Sequence, residues 1–317
     1  MKRRILPVAL LAFCGLTLGC SINKMAMKAV SGALTGEGSA DVFTGDSDPE
    51  LVGDALPFAI KMYEALLQAN PGHQGLIQTT GSLFVMYANA FVQGPAELLP
   101  RSRSADRQAA MERAKKLYLR GFNLLYGGLD QKYPGFSGAF HSGGLSKMLA
   151  KMKKADVPSL YWAAAGGLSA YSLNPFDMEL GIRIPEFKAL VDRAYEIDND
   201  FNNGALDDFL VLFYASVPEG MGGDKARAEI HYRRALEKSR GLLAGPYVSW
   251  AQAVSIPAQD YDTFKQCIEA ALSVNPDADS ANRLVNIIAQ RKARYLLENA
   301  ALYFIALDSD DDWDDGD

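Results

Sequence analysis

The sequence predicts an all-α chain of stacked helix hairpins, wound as an α-solenoid. Three observations carry that expectation. From Pro49 onward apolar residues recur at helical spacing almost without interruption. Strand signals are scarce: there is no long two-residue alternation, and no Asn-Gly or Asp-Gly pair between β-branched runs. Helical stretches stop at Asn-Pro pairs, Asn70-Pro71, Asn174-Pro175 and Asn275-Pro276, with Asp198-Asn199-Asp200 as a variant without proline. Proline lacks the N–H that would continue the helix and restricts the residue before it.

The elements follow in order. Helices are expected near residues 53–69, 75–93, 102–127, 142–154, 157–172, 186–197, 203–217, 223–240, 245–255, 259–273 and 278–307. Those at 75–93, 157–172 and 203–217 are apolar nearly all round, so they are buried on several sides. The helix at 223–240 is one-sided, with Arg233, Arg234 and Glu237 on a charged face. An inner apolar layer wrapped by an outer amphipathic one is the packing of stacked helix hairpins. Tetratricopeptide repeats end their second helix at such a proline, with a period of about 34 residues. Pro71 and Pro175 are 104 residues apart and Pro175 and Pro276 are 101 apart, each close to three periods. Other marks of that repeat are degraded, so the repeats are cryptic, and residues 127–146, rich in glycine, read as an insertion. Gly166-Gly167 lowers helix propensity and is expected to permit a close helix approach.

The ends of the chain are different. Lys2, Arg3 and Arg4 precede an apolar run from Ile5 to Leu18, too short for a spanning helix of about 20 residues and typical of a secretory signal. The run ends in Leu16-Thr17-Leu18-Gly19-Cys20, which resembles a bacterial lipobox, with Thr17 where leucine is usual. Residues 1–19 are therefore expected to be a lipoprotein signal peptide, and Cys20 the lipidated first residue of the mature chain. Two or more acyl chains hold a membrane stably. Ser21, in place of the aspartate that favours inner-membrane retention, leans toward the outer membrane. Residues 20–50 read as a flexible tether, 51–307 as the helical domain, and 308–317, with seven Asp, as a solvated acidic tail.

Charge and cysteine use exclude several functions. Without the signal the chain carries 29 Lys and Arg against 38 Asp and Glu, a poor balance for phosphate neutralisation, so nucleic acid is not an expected partner. Membrane contact is expected through the lipid anchor only. Cys267 is the one cysteine outside the signal and the anchor, so no internal disulfide is available, and it reads as a buried thiol.

Enzyme templates fail in turn. There is no phosphate-cradling Gly-x-x-x-x-Gly-Lys, no Gly-x-Ser-x-Gly elbow and no His-Glu-x-x-His pair. His73, His141 and His231 are isolated in sequence; His141, in a glycine-rich stretch, is the one around which an unusual enzyme site is conceivable. The pairs Asp207-Asp208 and Glu196/Asp198 read as solvated helix ends. No catalytic residue, metal site or cofactor is expected. Two features remain. Aromatic residues are in excess on the inner helices: Tyr87, Phe91, Trp162, Tyr214 and Trp250 either belong to the core or line an apolar cleft for a ligand. Asn282, Asn286 and Gln290, four residues apart, share one helix stripe; Asn286 and Gln290 either bond adjoining helix ends or form the polar end of a site.

The chain resembles the TatT family, the lipoprotein component associated with TRAP transporters. The resemblance rests on Cys20 and the Asn-Pro stops, and more specifically on two segments. One is Phe213-Tyr214-Ala215-Ser216 followed by Gly222-Gly223-Asp224-Lys225-Ala226-Arg227-Ala228; the other is Asn282-Arg283-Leu284-Val285-Asn286-Ile287-Ile288-Ala289-Gln290-Arg291-Lys292-Ala293. It implies a helical body with a hydrophobic lumen, a hydrophobic or carboxylate-bearing solute, a periplasmic solute-binding protein as partner, and a homotrimer. The acidic tail departs from the family pattern. A scaffold lipoprotein in envelope assembly, which binds only proteins, is the alternative.

Overall fold

A computed structural model describes residues 32, 34–36 and 41–308. The signal peptide, Cys20, most of the tether and the tail beyond residue 308 lie outside the described residues. Among the described residues the chain is helical and no strand occurs. The principal helices are α1 (Pro49–Ala69), α2 (Gln74–Tyr87), α3 (Ser104–Lys132), α4 (Val157–Ser172), α5 (Ile184–Ile197), α6 (Ala205–Ser216), α7 (Lys225–Ser239), α8 (Gly245–Trp250), α9 (Tyr261–Ser273) and α10 (Arg283–Glu298). Two of them run on through a wider turn. A π-helix Ala88–Gln93 and the turn Gly94–Glu97 prolong α2, and a π-helix Ala251–Ser255 and the turn Ile256–Ala258 prolong α8.

Helix starts follow side-chain chemistry. Asp48, Asp177, Asp224 and Asp260 each accept a backbone N–H from the first turn that follows, which satisfies a donor that the helix leaves orphaned. His73 does the same for α2, its Nδ1 accepting from Leu76 N at 3.1 Å. That gives this histidine a structural task.

The expected boundaries hold for α4 and come within a few residues for α5 to α7 and α9. Elsewhere three differ. The expected 102–127 helix runs on to Lys132 as α3, because Gly128 is a point of close packing: a Cβ there would sit 2.5 Å from Ile77 Cγ2. The 142–154 helix shrinks to Leu145–Leu149. The last helix covers Arg283–Glu298, flanked by short 3₁₀ turns, instead of 278–307.

Each helix up to α5 packs on its sequence neighbour, as do α6 on α7, α8 on α9 and α9 on α10. Most of these neighbours are joined by short connections, as in helix hairpins; residues 133–156 make a long one between α3 and α4. Glycines set the closest approaches, among α2, α3, α4 and α5. A Cβ at Gly121 would lie 2.7 Å from the carbonyl oxygen of Gly81, and one at Gly167 would lie 2.5 Å from the Phe187 ring. Backbone cannot yield as a side-chain tip does, so Gly121→Ala is expected to lower stability by about 1–3 kcal/mol. Chemical denaturation, read as a fall in midpoint at unchanged slope, checks this.

Two apolar cores result. The larger draws on α1 to α6, with Tyr118, Phe122, Phe136, Phe187 and Phe213 among its fully buried rings. The smaller draws on α8, α9 and α10, around Phe264 and Phe304. Trp250 packs against both. Cys267 is buried in the smaller core, 3.5 Å from Tyr232 Oη.

The array closes on itself. Arg283 Nη1 donates to the carbonyl oxygen of Gly45 at 2.7 Å, Arg291 pairs with Glu50 on α1, and Lys292 pairs with Glu97 at the end of α2. Helix α10 therefore returns to the beginning of the chain.

Candidate functional site

The two π-helices shape the interior. Each precedes a proline at the start of the next turn, Pro95 or Pro257. Proline offers no N–H to the carbonyl one α-turn back, and the ladder widens to take up one extra residue. Such bulges are frequent at functional sites. The segments also match in sequence: Tyr87-Ala88-Asn89-Ala90 leads to Pro95-Ala96, and Trp250-Ala251-Gln252-Ala253 leads to Pro257-Ala258.

A network of polar side chains extends from the first π-helix. Tyr118 Oη donates to Gln93 Oε1 at 2.7 Å, and Gln93 Nε2 donates to Glu97 Oε1 at 2.7 Å. The other Glu97 oxygen receives Lys292 Nζ from α10. Arg107 on α3 donates through Nη2 to the carbonyl oxygens of Leu99 and Glu97. Its Nε is buried and has no partner. These groups border a solvent-open pocket of about 170 Å³, lined by Glu97, Arg107, Met111, Gln252, Lys292 and Tyr303. Burial pushes the Lys292 ammonium down to about 8, while its contact with Glu97 works the other way. Two cations face one carboxylate, and a buried guanidinium N–H is left unsatisfied. An unmade bond of that kind is costly, and an anionic oxygen would satisfy it.

Near the end of α8, three residues before Gln252, Ser249 stands close to Asp208 of α6. Asp208 Oδ1 is buried and unpartnered. Burial pushes this carboxyl up to about 6, with neighbouring Asp207 adding to the rise and Ser249 opposing it. Tyr161 of α4 feels the same charge and packs against Trp162, Phe201 and Phe209.

Asp207 points elsewhere. It is wholly buried, 2.7 Å from His231 Nδ1 and 2.8 Å from Lys238 Nζ, both on α7. Burial raises its pKa, but the bonds from His231 and Lys238 outweigh that and hold it below the usual carboxylate value. His231 stacks on Tyr214, with ring centroids 5.6 Å apart. The adjacent carboxylates therefore are not solvated helix ends, as their sequence suggests: one clamps α6 to α7 and the other has a buried, unpartnered oxygen.

The aromatic candidates are dispersed. Tyr87 and Phe91 stack at 5.9 Å, and Phe91 lines an outer groove between α2 and α3 with Val92, Pro95 and Arg113. Trp162 lies edge-on to Tyr161 with ring centroids 5.0 Å apart, and Trp250 stacks on Tyr232 at 4.5 Å where the cores meet. Tyr214 belongs to the Asp207–His231 clamp. The amides of α10 tie helix ends: Asn286 accepts from Ala244 N and donates to Leu242 O, and Gln290 Nε2 reaches Ala271 O and Val274 O. His141 is exposed, with only Phe140 near its ring.

Sequence reasoning missed Glu97, Arg107, Asp208, Gln252 and Lys292. The signal that could have found them is the recurrence of aromatic-Ala-amide-Ala before a proline. The two most specific segments of the resemblance turn out to be structural. Gly222, at φ +105°, and Gly223 form the tight turn between α6 and α7, where a Cβ on Gly223 would strike Val217 O at 1.8 Å. The α10 run supplies the helix-end ties and Lys292.

A family model described as TRAP transporter T-component matches residues 45–304. The chain belongs to that family. A protein of Treponema pallidum (strain Nichols), described as uncharacterized, is 33% identical over 322 residues, covering 96% of this chain and the whole of the relative. The match places this T-component among cell-envelope transport accessories and spans every principal helix, including the α10 segment that closes the array. No described helix is long and apolar enough to cross a membrane.

Proposed function

We propose that this T-component is a periplasm-facing lipoprotein, anchored through Cys20 with the outer membrane favoured, that holds a hydrophobic or carboxylate-bearing solute in its interior and docks the transporter's solute-binding protein. The unsatisfied Arg107 Nε beside Lys292 carries this reading. A carboxylate is the natural partner of a guanidinium fork, and the cavity walls of Met111 and Tyr303 suit the apolar carbons next to such a head group. The signal-like start and Cys20 support the anchor.

Isothermal titration of the lipid-free domain with octanoate and dodecanoate tests the solute. Binding is expected, weakened about tenfold or more in Arg107→Met, since a charge-assisted bond contributes about 1.5–3 kcal/mol. No binding by the wild-type protein, with clean native mass spectra, would sink the proposal. Co-purification of a solute-binding protein tests the docking.

A scaffold without cargo is the second reading. It is favoured by the apolar outer stripe of α1, where Leu51, Phe58 and Met62 are exposed; contiguous patches of that kind mark interaction surfaces. Recovery of envelope-assembly proteins and no transporter component would support it.

A further inference from the structure

Residues 308–317 hold seven Asp and one aromatic side chain, Trp313. The family match stops at residue 304 and does not reach them. Solvation accounts for the aspartates. It does not account for the indole, a large apolar surface that gains by burial.

The root of this tail is fixed beside the Arg107–Lys292 pocket. Phe304 is buried against Tyr261 and Phe264, with ring centroids 5.2 and 4.9 Å away. Gln259 grips the backbone on either side of it: Nε2 donates to Tyr303 O at 2.9 Å, and Oε1 accepts from Ile305 N at 3.0 Å. Tyr303 is itself a wall of the pocket. The described chain stops at residue 308, five residues beyond that wall. The helical turn Ile305–Asp308 advances about 1.5 Å per residue, and an extended chain covers about 3.3 Å per residue. Residues 310–315 therefore have the length to return to the pocket mouth.

The pocket is complementary to what the tail carries. Arg107 makes its bonds to Leu99 O and Glu97 O through Nη2 alone, and its Nε has no partner. Arg107 and Lys292 set two positive charges against one carboxylate, Glu97. The exposed turn leading into α3 adds Arg101 and Arg103, the latter paired with Asp106. Met111 and Tyr303 give the pocket an apolar side.

We infer that the acidic tail occupies this pocket when no solute is bound: carboxylates of Asp310–Asp315 face Arg107 and Lys292, and the Trp313 ring lies against Met111 and Tyr303. The tail is then a built-in competitor that a carboxylate solute has to displace. This rests on reading the pocket as a carboxylate seat and adds its regulation. A tether this short sets an effective concentration on the order of 1 mM. A tail that would bind as a separate peptide with a Kd of about 0.1 mM therefore weakens a competing solute about tenfold.

The whole lipid-free chain, labelled with fluorotryptophan, tests this. Trp162, Trp250 and Trp313 are its three tryptophans, and Trp313→Phe assigns the third fluorine signal. In the wild type that signal is expected away from its position in the urea-unfolded chain. It should move toward that position at high salt, in Arg107→Met and in Lys292→Met. It should also do so in a chain with every Asp from 310 to 317 replaced by Asn, which leaves the helical body untouched. Unchanged Trp162 and Trp250 signals show that a variant is folded. Titration with octanoate gives the second readout: the neutralised-tail chain should bind it about tenfold more tightly than the wild type. A Trp313 signal already at the unfolded position in the wild type, or unmoved in the folded pocket variants, overturns the inference. So does equal octanoate affinity with and without the tail charges, and the solute-binding reading then stands. If the Trp313 signal behaves as expected but octanoate binds neither chain, the tail keeps its place and the solute-binding reading fails.

Discussion

Replacing Asp207 by Asn is expected to destabilise the T-component by about 3–5 kcal/mol at neutral pH, the range for breaking a buried ion pair from one side. The carboxylate is wholly buried, and its loss leaves Lys238, itself only 18% exposed, with a distant, exposed Asp200 as its remaining acidic partner, while His231 loses its acceptor. Helices α6 and α7 would lose their buried clamp and keep the stacking of His231 on Tyr214 and the bond from Arg227 to Tyr214 Oη. The pH dependence has a definite sign. The folded pKa of Asp207 lies below its ordinary value of 3.8. The unfolded chain therefore takes up the proton first, and the stabilisation is complete above that value and lost as the pH falls beneath it. Urea unfolding of wild type and Asp207→Asn across pH should show the gap between them closing only in strong acid.

The next residue is expected to respond in the opposite direction. Asp208→Asn should raise stability by about 1–2 kcal/mol near neutral pH, or a few degrees in Tm. Here the folded pKa, about 6, lies above the ordinary 3.8. The folded state takes up the proton first, so wild-type stability rises as the pH falls from 7 through 6 and levels off near 3.8. The full shift corresponds to about 3 kcal/mol; partial exposure of the Asp208 side chain reduces it. The variant should lack this rise. A Tm that falls on substitution would show that the Asp208 carboxylate is needed for folding.

The contrast between these neighbours shows where sequence reasoning stops. The all-α architecture was legible because helical periodicity, Asx caps and Asn-Pro stops act over short distances, and Val157–Ser172 emerged with its limits intact. The interior was not. Nothing local separates Asp207 from Asp208; their different surroundings come from three positive-φ residues upstream, Asn202, Asn203 and Gly204, and from partners on α7. The π-helices escaped for a related reason, since an α-periodic reading carries straight through them, although Pro95 and Pro257 were visible. Aromatic content was a weak guide because rings fill cores as readily as clefts, and Tyr87, Trp162, Tyr214 and Trp250 went to four separate neighbourhoods. Lys292 lay inside a segment singled out for its resemblance, but its meeting with Glu97 depends on a return of the chain across 195 positions.

That return has a mechanical consequence. An open superhelix of hairpins behaves as a spring whose pitch sets the width of its bore. Here α10 is buckled to the start of the helical body by Arg283 on Gly45 and Arg291 on Glu50, so the two ends cannot part without breaking those contacts. The latch pairs lie at the surface, where ionic strength weakens such contacts most readily.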